Sequence, residues 1–472
     1  MGDGTDNYLD MTSSSRVPSL PTLLFASLVG VYGLVMLGAT VSVTEALATC
    51  GGWPTCDGRW MVLPGEPGAT AMAHRILGFV VGLLVAGSVA LSWLHDVPRR
   101  VRLALALALL LYPVQGGIGA LVAIGTDLGM VSSLHLLIGM AIFGTLVVAM
   151  AWLLEDRYPN PLERGTPTAV DEATQKASVN NDKSGYRALA LAYFRLTKPR
   201  LMWLLCLVAA AAMALAAGPA LRVSTIVATL TGGVLAIGAS GTFNHVLERD
   251  IDRRMARTAD RPVATDLVPM THAVAFGVLL AMLSIIVFLV FVNVVAAALG
   301  LAAIVFYSVI YTLILKPNTV QNTVIGGAAG SLPALIGWAA VTGSIDLAGV
   351  VLALVIFCWT PAHFYNLAMA YRDDYAAGGF PMLPVVAGDR VARKHIMLWA
   401  GLTMVMVVSL AALTSLSWLY ATVAIVGGVG FIWMIGRLHA VGTEAAAMRT
   451  FHASNAYLGA VLVVIAVDAL VI

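Results

Sequence analysis

Charge is what this chain has least of: Asp, Glu, Lys and Arg make up 11% of its 472 residues, while 60% are hydrophobic. A chain so composed cannot cover its own apolar surface as a water-soluble globule does, and it belongs in a bilayer. Neither sign of charge prevails. The formal net charge is +2 and the basic residues are spread over short loops, which gives no basis for nucleic acid as a partner. Cysteine is also sparse. Of four, Cys206 and Cys358 fall in apolar runs, whereas Cys50 and Cys56 share a polar loop, so only the second pair is placed to be oxidised. Five intervening residues permit a disulfide there without requiring one. The segment Met1–Pro21 lacks a basic stretch ahead of a short apolar run, so no cleaved signal peptide is expected and the first apolar run is retained.

Apolar runs are plentiful. A membrane-crossing helix needs roughly 20 apolar residues, and thirteen such runs are expected. Four lie near residues 22–44, 70–94, 101–124 and 131–154. Nine more lie near 201–218, 222–246, 272–291, 293–315, 321–341, 346–370, 396–416, 418–436 and 453–472. Between the groups, Glu155 to Pro199 holds no membrane-length run and carries Pro159, Pro161 and Pro167 among many charges, as a linker does. The expected organisation is an all-α polytopic membrane protein: a four-helix domain over 1–155, a polar linker over 156–190 and a nine-helix domain over 191–472. The positive-inside rule places Arg99, Arg100 and Arg102, then Arg187, Arg195, Lys198 and Arg200, on the cytoplasmic side. The Arg249–Arg261 loop, Lys316, the Arg390–Lys394 cluster, Arg437 and Arg449 follow to that side.

Two loops carry chemistry. Between Glu248 and Asp266 stand five acidic and five basic residues, a density that costs desolvation beside a bilayer. Asn244, Glu248 and Asp252 are spaced i, i+4, i+8, which lines their oxygens along one helix face. Such a face suits Mg²⁺, which prefers carboxylate and amide oxygens together with substrate phosphates, and Arg253, Arg257 and Arg261 supply charge for a diphosphate. A solvated loop whose charges pair with each other accounts for the acids equally well on their own. A second acidic stretch on the same side, Tyr371-Arg-Asp-Asp-Tyr375 running into Gly378-Gly-Phe-Pro-Met-Leu-Pro384, favours a two-sided metal–diphosphate clamp.

These stretches resemble the UbiA superfamily of intramembrane prenyltransferases, within it the heme O synthase branch. Leu196-Thr-Lys-Pro-Arg200, Asn244–Met255, Tyr311-Thr-Leu-Ile-Leu-Lys316, Gln321-Asn-Thr-Val-Ile-Gly-Gly-Ala-Ala-Gly330, Trp359-Thr-Pro-Ala-His-Phe364 and Pro381-Met-Leu-Pro384 carry the resemblance over about residues 190–400. Glu248 stands where the family usually has Asp, His245 where this branch usually has Asn, and Ala362 where Pro is usual. The second motif lacks the Asp-x-x-x-Asp of quinone prenyltransferases, which favours heme over quinone. The resemblance implies a UbiA-type helical bundle in which Mg²⁺ on Asn244, Glu248, Asp252 and Asp374 holds farnesyl diphosphate. It also implies that Lys198, Arg257, Arg261 and Lys316 meet phosphate and that Arg200 and Asp373 help bind substrate. Farnesyl would pass to protoheme IX, with Asn244, Asp252, Asp374 and Lys316 as the catalytic set. His363, in an apolar span after Pro361, is expected either to contact heme or to be a packed histidine bonded to a helix carbonyl that Pro361 frees.

In the first domain, His74-Arg-Ile-Leu-Gly78 and Ser133-Leu-His135-Leu-Leu-Ile-Gly139 each contain His-x-x-x-Gly near the outer end of a span. Two imidazoles at similar depth can ligate one heme iron, and the glycine one turn along admits a flat macrocycle. Two interfacial histidines satisfied by water are the plainer reading. With Gln115-Gly-Gly117 and the loop Cys50–Gly58, this unit resembles one four-helix half of heme A synthase. Beyond farnesyl diphosphate, protoheme and lipid, the partners this implies are heme A synthase or terminal-oxidase assembly factors. Two other classes stay open at this point: a cation-coupled carrier, which places ionisable groups near the bilayer midplane, and an electron-transferring cytochrome, which leaves both acidic loops without a task.

Overall fold

The computed structural model describes residues 19–43, 50, 52–125, 129–162 and 185–471. Residues 1–18, Gly51 of the Cys50–Gly58 loop and residues 163–184 of the linker, Pro167 among them, lie outside the described residues. Among those described, thirteen helices are long and apolar enough to cross a membrane, and no strand forms beyond one isolated bridge between Cys56 and Arg59. The protein is a multi-pass membrane protein. Its chain divides into two compact units, Met1–Leu34 with Cys50–Leu153, and Val35–Thr49 with Leu154–Ile472.

Four spans come first: α1 (Leu20–Val43), α2 (Ala69–Leu94), α3 (Arg99–Ala123) and α4 (Met130–Arg157). With lipid offering no hydrogen bonds, buried hydroxyls here find partners in protein: Ser27 of α1 and Ser88 of α2 meet at 3.0 Å. The loop before α2 is closed by a disulfide between Cys50 and Cys56, whose Cα atoms are 5.0 Å apart. Arg75 ties it to α2 by donating to the Thr55 carbonyl at 2.7 Å.

The other nine spans are α5 (Pro199–Ala217), α6 (Val223–Leu247), α7 (Met270–Phe291), α8 (Val294–Val305, continued as a π-helix over Phe306–Leu315), α9 (Asn322–Thr342), α10 (Leu347–Ala370), α11 (Leu383–Leu413), α12 (Trp418–Val441) and α13 (Glu444–Val471). Each packs on the next, and α13 returns to pack on α5, closing a ring; α5 with α9 and α10 with α13 add further contacts. Small residues allow these approaches in a medium where burial of apolar surface gives no net drive. At Gly337 of α9 an added Cβ would collide with the carbonyl of Ala209 on α5.

Two boundaries differ from the hydropathy reading. The span expected near 396–416 begins at Leu383 and bends at Gly388, whose φ of +83° is open to glycine. Its first turns carry Asp389, Arg390, Arg393 and Lys394, charges that hide a helix from a hydropathy window. Likewise, a short helix, Tyr186–Leu196, precedes α5 within the stretch read as linker and outer edge of the domain. Its Ala192 and Leu196 pack with Val246, Val263, Val268 and Ala273, so it braces the acidic loop from beneath.

Candidate active site

Four chain segments bring polar groups to one end of the nine-helix ring: the start of α5, the end of α6, the end of the π-helix and the end of α10. Lys198 precedes α5 with φ +55°, a left-handed conformation rare for a residue with a side chain. Beside it Gly241 of α6 leaves no room for a Cβ, which would stand 2.9 Å from the Leu196 carbonyl and 3.3 Å from Lys198 Cγ. This close approach lets the Lys198 ammonium donate to the Asn244 side-chain oxygen. It also lies 3.4 Å from the Tyr307 hydroxyl. Burial above all, with Arg261 and Lys316 nearby, lowers the Lys198 ammonium to about 7.

Asn244, Glu248 and Asp252 are 2%, 3% and 2% exposed. Their i, i+4 spacing survives a break: α6 ends at Leu247, Glu248 caps it, and a four-residue helix, Arg249–Asp252, carries on. Asn244 also donates to Thr312 of the π-helix at 3.2 Å. Glu248 accepts from Lys316 and lies 3.6 Å from Arg261 Nη1. Asp252 receives the same Nη1 at 2.8 Å on both oxygens. Burial works to raise the Glu248 carboxyl, but Lys316, Lys198 and Arg261 outweigh it and hold it below the usual range. At Asp252 burial prevails over Arg261, and its carboxyl is raised. Two buried carboxylates and an amide oxygen, with three cations against them, fit a hard divalent ion shared with a diphosphate: the oxygens suit the ion and the cations suit phosphate. No group of three or more His, Cys, Asp and Glu side chains that could hold a metal converges among the described residues; here two carboxylates stand with one amide oxygen.

Other expected members are placed differently. The resemblance puts Asp374 with the metal ligands, but its oxygens accept the backbone N–H groups of Ala256 and Arg257 at 2.9 and 3.2 Å. It joins the two acidic loops through main-chain atoms, because the turn after Asp252 leaves those amides without a helical partner. Arg257 lies over the rings of Tyr371 and Tyr375, at 5.1 and 5.6 Å, on the same junction. Arg253 is turned away, donating to Asp266 at 2.7 Å and to the Ala264 carbonyl at 2.7 Å. Arg200 and Asp373 are exposed, and Arg200 forms no ion pair with the cluster acids among the described residues. His363 lies between Trp359 and Phe451, with ring centroids at 4.2 and 4.1 Å, and bonds Ser454 at 2.7 Å. Its partner is thus a hydroxyl of α13 rather than a carbonyl freed by Pro361.

A cavity runs from this cluster into the ring. Lys198 and Tyr307 line its polar end, Gly241, Ile237, Gly233 and Thr229 mark its course down α6, and Ala209 and Ile336 lie along its other walls. Tyr307 carries no signal in the sequence; the π-helix that presents it has no hydropathy signature, though such bulges gather at functional sites.

In the four-helix unit, α3 links the two histidine helices. Tyr112 donates to the Gly78 carbonyl of α2 at 2.6 Å, and Gln115, three residues on, meets His135 Nε2 at 3.3 Å. The other nitrogen of His135 and the Gln115 side-chain oxygen are buried without partners, and the Cα of Gly78 faces open space.

Comparison with known proteins agrees with this layout. Residues 202–455 match the UbiA prenyltransferase family, and residues 66–198 match a family described as cytochrome oxidase assembly protein. The chain is 56% identical over 463 residues to protoheme IX farnesyltransferase 1 of Natronomonas pharaonis, covering 97% of this chain and 100% of that one. It is 54% identical over 459 residues to the protoheme IX farnesyltransferase of Haloarcula marismortui, covering 95% and 98%. A solved structure described as digeranylgeranylglyceryl phosphate synthase in membranes shares the fold, with a TM-score of 0.51 at 15% identity over 60% of this chain and 99% of that one. With more than half its length matched and such relatives aligned nearly end to end, the chain belongs to the UbiA prenyltransferase family.

Proposed function

We propose that the nine-helix unit transfers farnesyl from farnesyl diphosphate to protoheme IX, giving heme O, the reaction for which its relatives are named. The observation that carries this is the double role of Lys198, which lines an apolar cavity and bonds Asn244 of the charged cluster. An amphiphile with a long apolar tail and a polyanionic head fits that junction. The acidic loops are read as cytoplasmic.

Lys198, Lys316 and Arg261 give up carboxylate and amide partners to bind phosphate oxygens. Mg²⁺ would be held by Asn244, Glu248 and Asp252, and supplies neutralisation of the diphosphate when bound. The allylic C–O bond breaks with its electron pair passing to the diphosphate, and the preorganised cations stabilise that charge in a water-poor site. The apolar walls formed by α5, α6 and α9 keep water from the farnesyl cation. The heme vinyl group then attacks, and water adds to the resulting cation and gives up one proton to solvent, leaving the hydroxyethylfarnesyl side chain. Asp374 keeps the two loops together, and Arg257 stiffens the same junction. A carrier is disfavoured because the two acidic loops and their cations gather at one end of the ring. Mass spectrometry of hemes from cells with and without the chain tests the reading: a heme heavier by one hydroxyethylfarnesyl group is expected, and unchanged heme beside prenylated quinone would move the activity to another branch.

For the four-helix unit we propose heme binding by His74 and His135. The unpartnered nitrogen of His135 and the open face at Gly78 support it, and one turn of α3 serves both helices. His74→Ala and His135→Ala should each remove a heme absorbance band from the detergent-purified chain, with farnesyl transfer at least partly intact. Unchanged spectra in both would return these residues to water-satisfied interfacial histidines.

A further inference from the structure

A second set of buried charges sits at the start of α11, and the mechanism above does not use it. Asp389 and Arg393, just past the bend at Gly388, are each 1% exposed. Asp389 Oδ2 accepts the backbone N–H of Leu162 at 3.3 Å and lies 3.5 Å from Arg372 Nη1. One turn along, Arg393 Nη2 donates to the carbonyls of Tyr158 and Asn160 at 3.0 and 2.6 Å. Lys394 pairs with Glu155 at 2.8 Å. Residues 155–162 are therefore docked on α11 chiefly by main-chain atoms, and buried peptide groups need such partners.

Arg372 gives this docking a reach into the active site. It opens the short helix Arg372–Ala377, in which Asp374 receives the amides of Ala256 and Arg257. A buried carboxylate is costly unless several donors meet it, and Asp389 draws on two elements at once: a peptide N–H from the docked segment and a guanidinium from the second acidic loop. A rigid charge shared in this way fixes one donor relative to the other.

We propose that Asp389 is a positioning residue for prenyl transfer, using the docked segment 155–162 as the support from which it holds Arg372 and, through it, the Asp374 junction. The proposal rests on the function given above, because position matters only if that junction organises the reaction. Small displacements at such a junction act on turnover more than on binding, since the cavity and the cations that bind substrate stay in place.

The test uses the full-length chain in detergent, with farnesyl transfer to protoheme measured over both substrate concentrations. Asp389→Asn and Leu162→Pro, which deletes the donating N–H, should each lower kcat about tenfold and leave KM for farnesyl diphosphate within about twofold. Asp389→Glu should recover part of the loss. Leu162→Ala keeps the amide and removes the apolar side chain, and should stay within about twofold of the parent. Full kcat in Asp389→Asn, or a loss in Leu162→Ala equal to that in Leu162→Pro, would overturn the proposal. If Asp389→Asn does not elute as a folded species, the Leu162 pair decides. Absence of transfer by the unaltered chain would instead count against the proposed function.

Discussion

Asp252→Asn is expected to reduce farnesyl transfer by about a thousandfold or more, the scale reached when a group that fixes cations on a leaving anion is lost. Asp252 is almost wholly buried and both its oxygens meet one Arg261 nitrogen. With the amide in place, one oxygen can still accept from Arg261, but its ion pairing falls to the longer approach to Glu248, and the oxygen face loses one of its two formal charges. Raising Mg²⁺ should restore little. Asp374→Asn makes the contrast. Its carboxylate accepts two main-chain amides across the loops, and an asparagine retains one acceptor while turning an NH₂ group toward the other donor. Turnover should fall by about 10- to 100-fold, as for a misplaced junction, with the Mg²⁺ requirement unmoved. A loss as deep as in Asp252→Asn would place Asp374 among the metal ligands, as the family resemblance implies. Both variants are to be compared at equal yield of folded protein, since removing one member of a buried ion pair also destabilises.

The contrast between these two aspartates shows what a sequence can disclose. Asn244, Glu248 and Asp252 were legible because helical spacing alone puts them on one face, and the structure keeps that spacing although the helix is interrupted at Glu248. The thirteen spans were legible because the hydrocarbon core sets their length and composition. What stayed hidden depends on tertiary partners. Nothing in Arg253 and Arg261 distinguishes them by type, yet one turns out to Asp266 and the other inward to two carboxylates. Asp389 and Arg393 look like a cytoplasmic charge cluster until the backbone of 155–162 arrives to receive them. Tyr307 reaches Lys198 from a π-helix that continues α8, a winding that side-chain pattern does not encode.

Gly233→Phe is expected to exchange the chain-length preference of the enzyme while leaving its fold in place. Gly233 lines the cavity, and a Cβ added there meets nothing within 4 Å, so a side chain can enter the empty space without displacing α6. From Gly241, beside Lys198, to Gly233 the helix runs eight residues, about 12 Å of rise at ~1.5 Å per residue. That depth is where the last part of a three-isoprene chain lies if its diphosphate is at Lys198 and Lys316. A phenyl ring there denies burial to one isoprene unit. Five carbons at ~0.8 kcal/mol each lose about 4 kcal/mol of transfer free energy, so discrimination against farnesyl diphosphate should move by about 10²- to 10³-fold. In a competition between geranyl and farnesyl diphosphates, the parent should favour farnesyl and the variant geranyl, with the shift carried by kcat/KM. Gly241→Phe offers no such exchange, because its Cβ would strike the Leu196 carbonyl and the variant should lose both substrates. A Gly233→Phe enzyme that still prefers farnesyl diphosphate would mean that the prenyl chain runs elsewhere, and the double role assigned to Lys198 would fail with it.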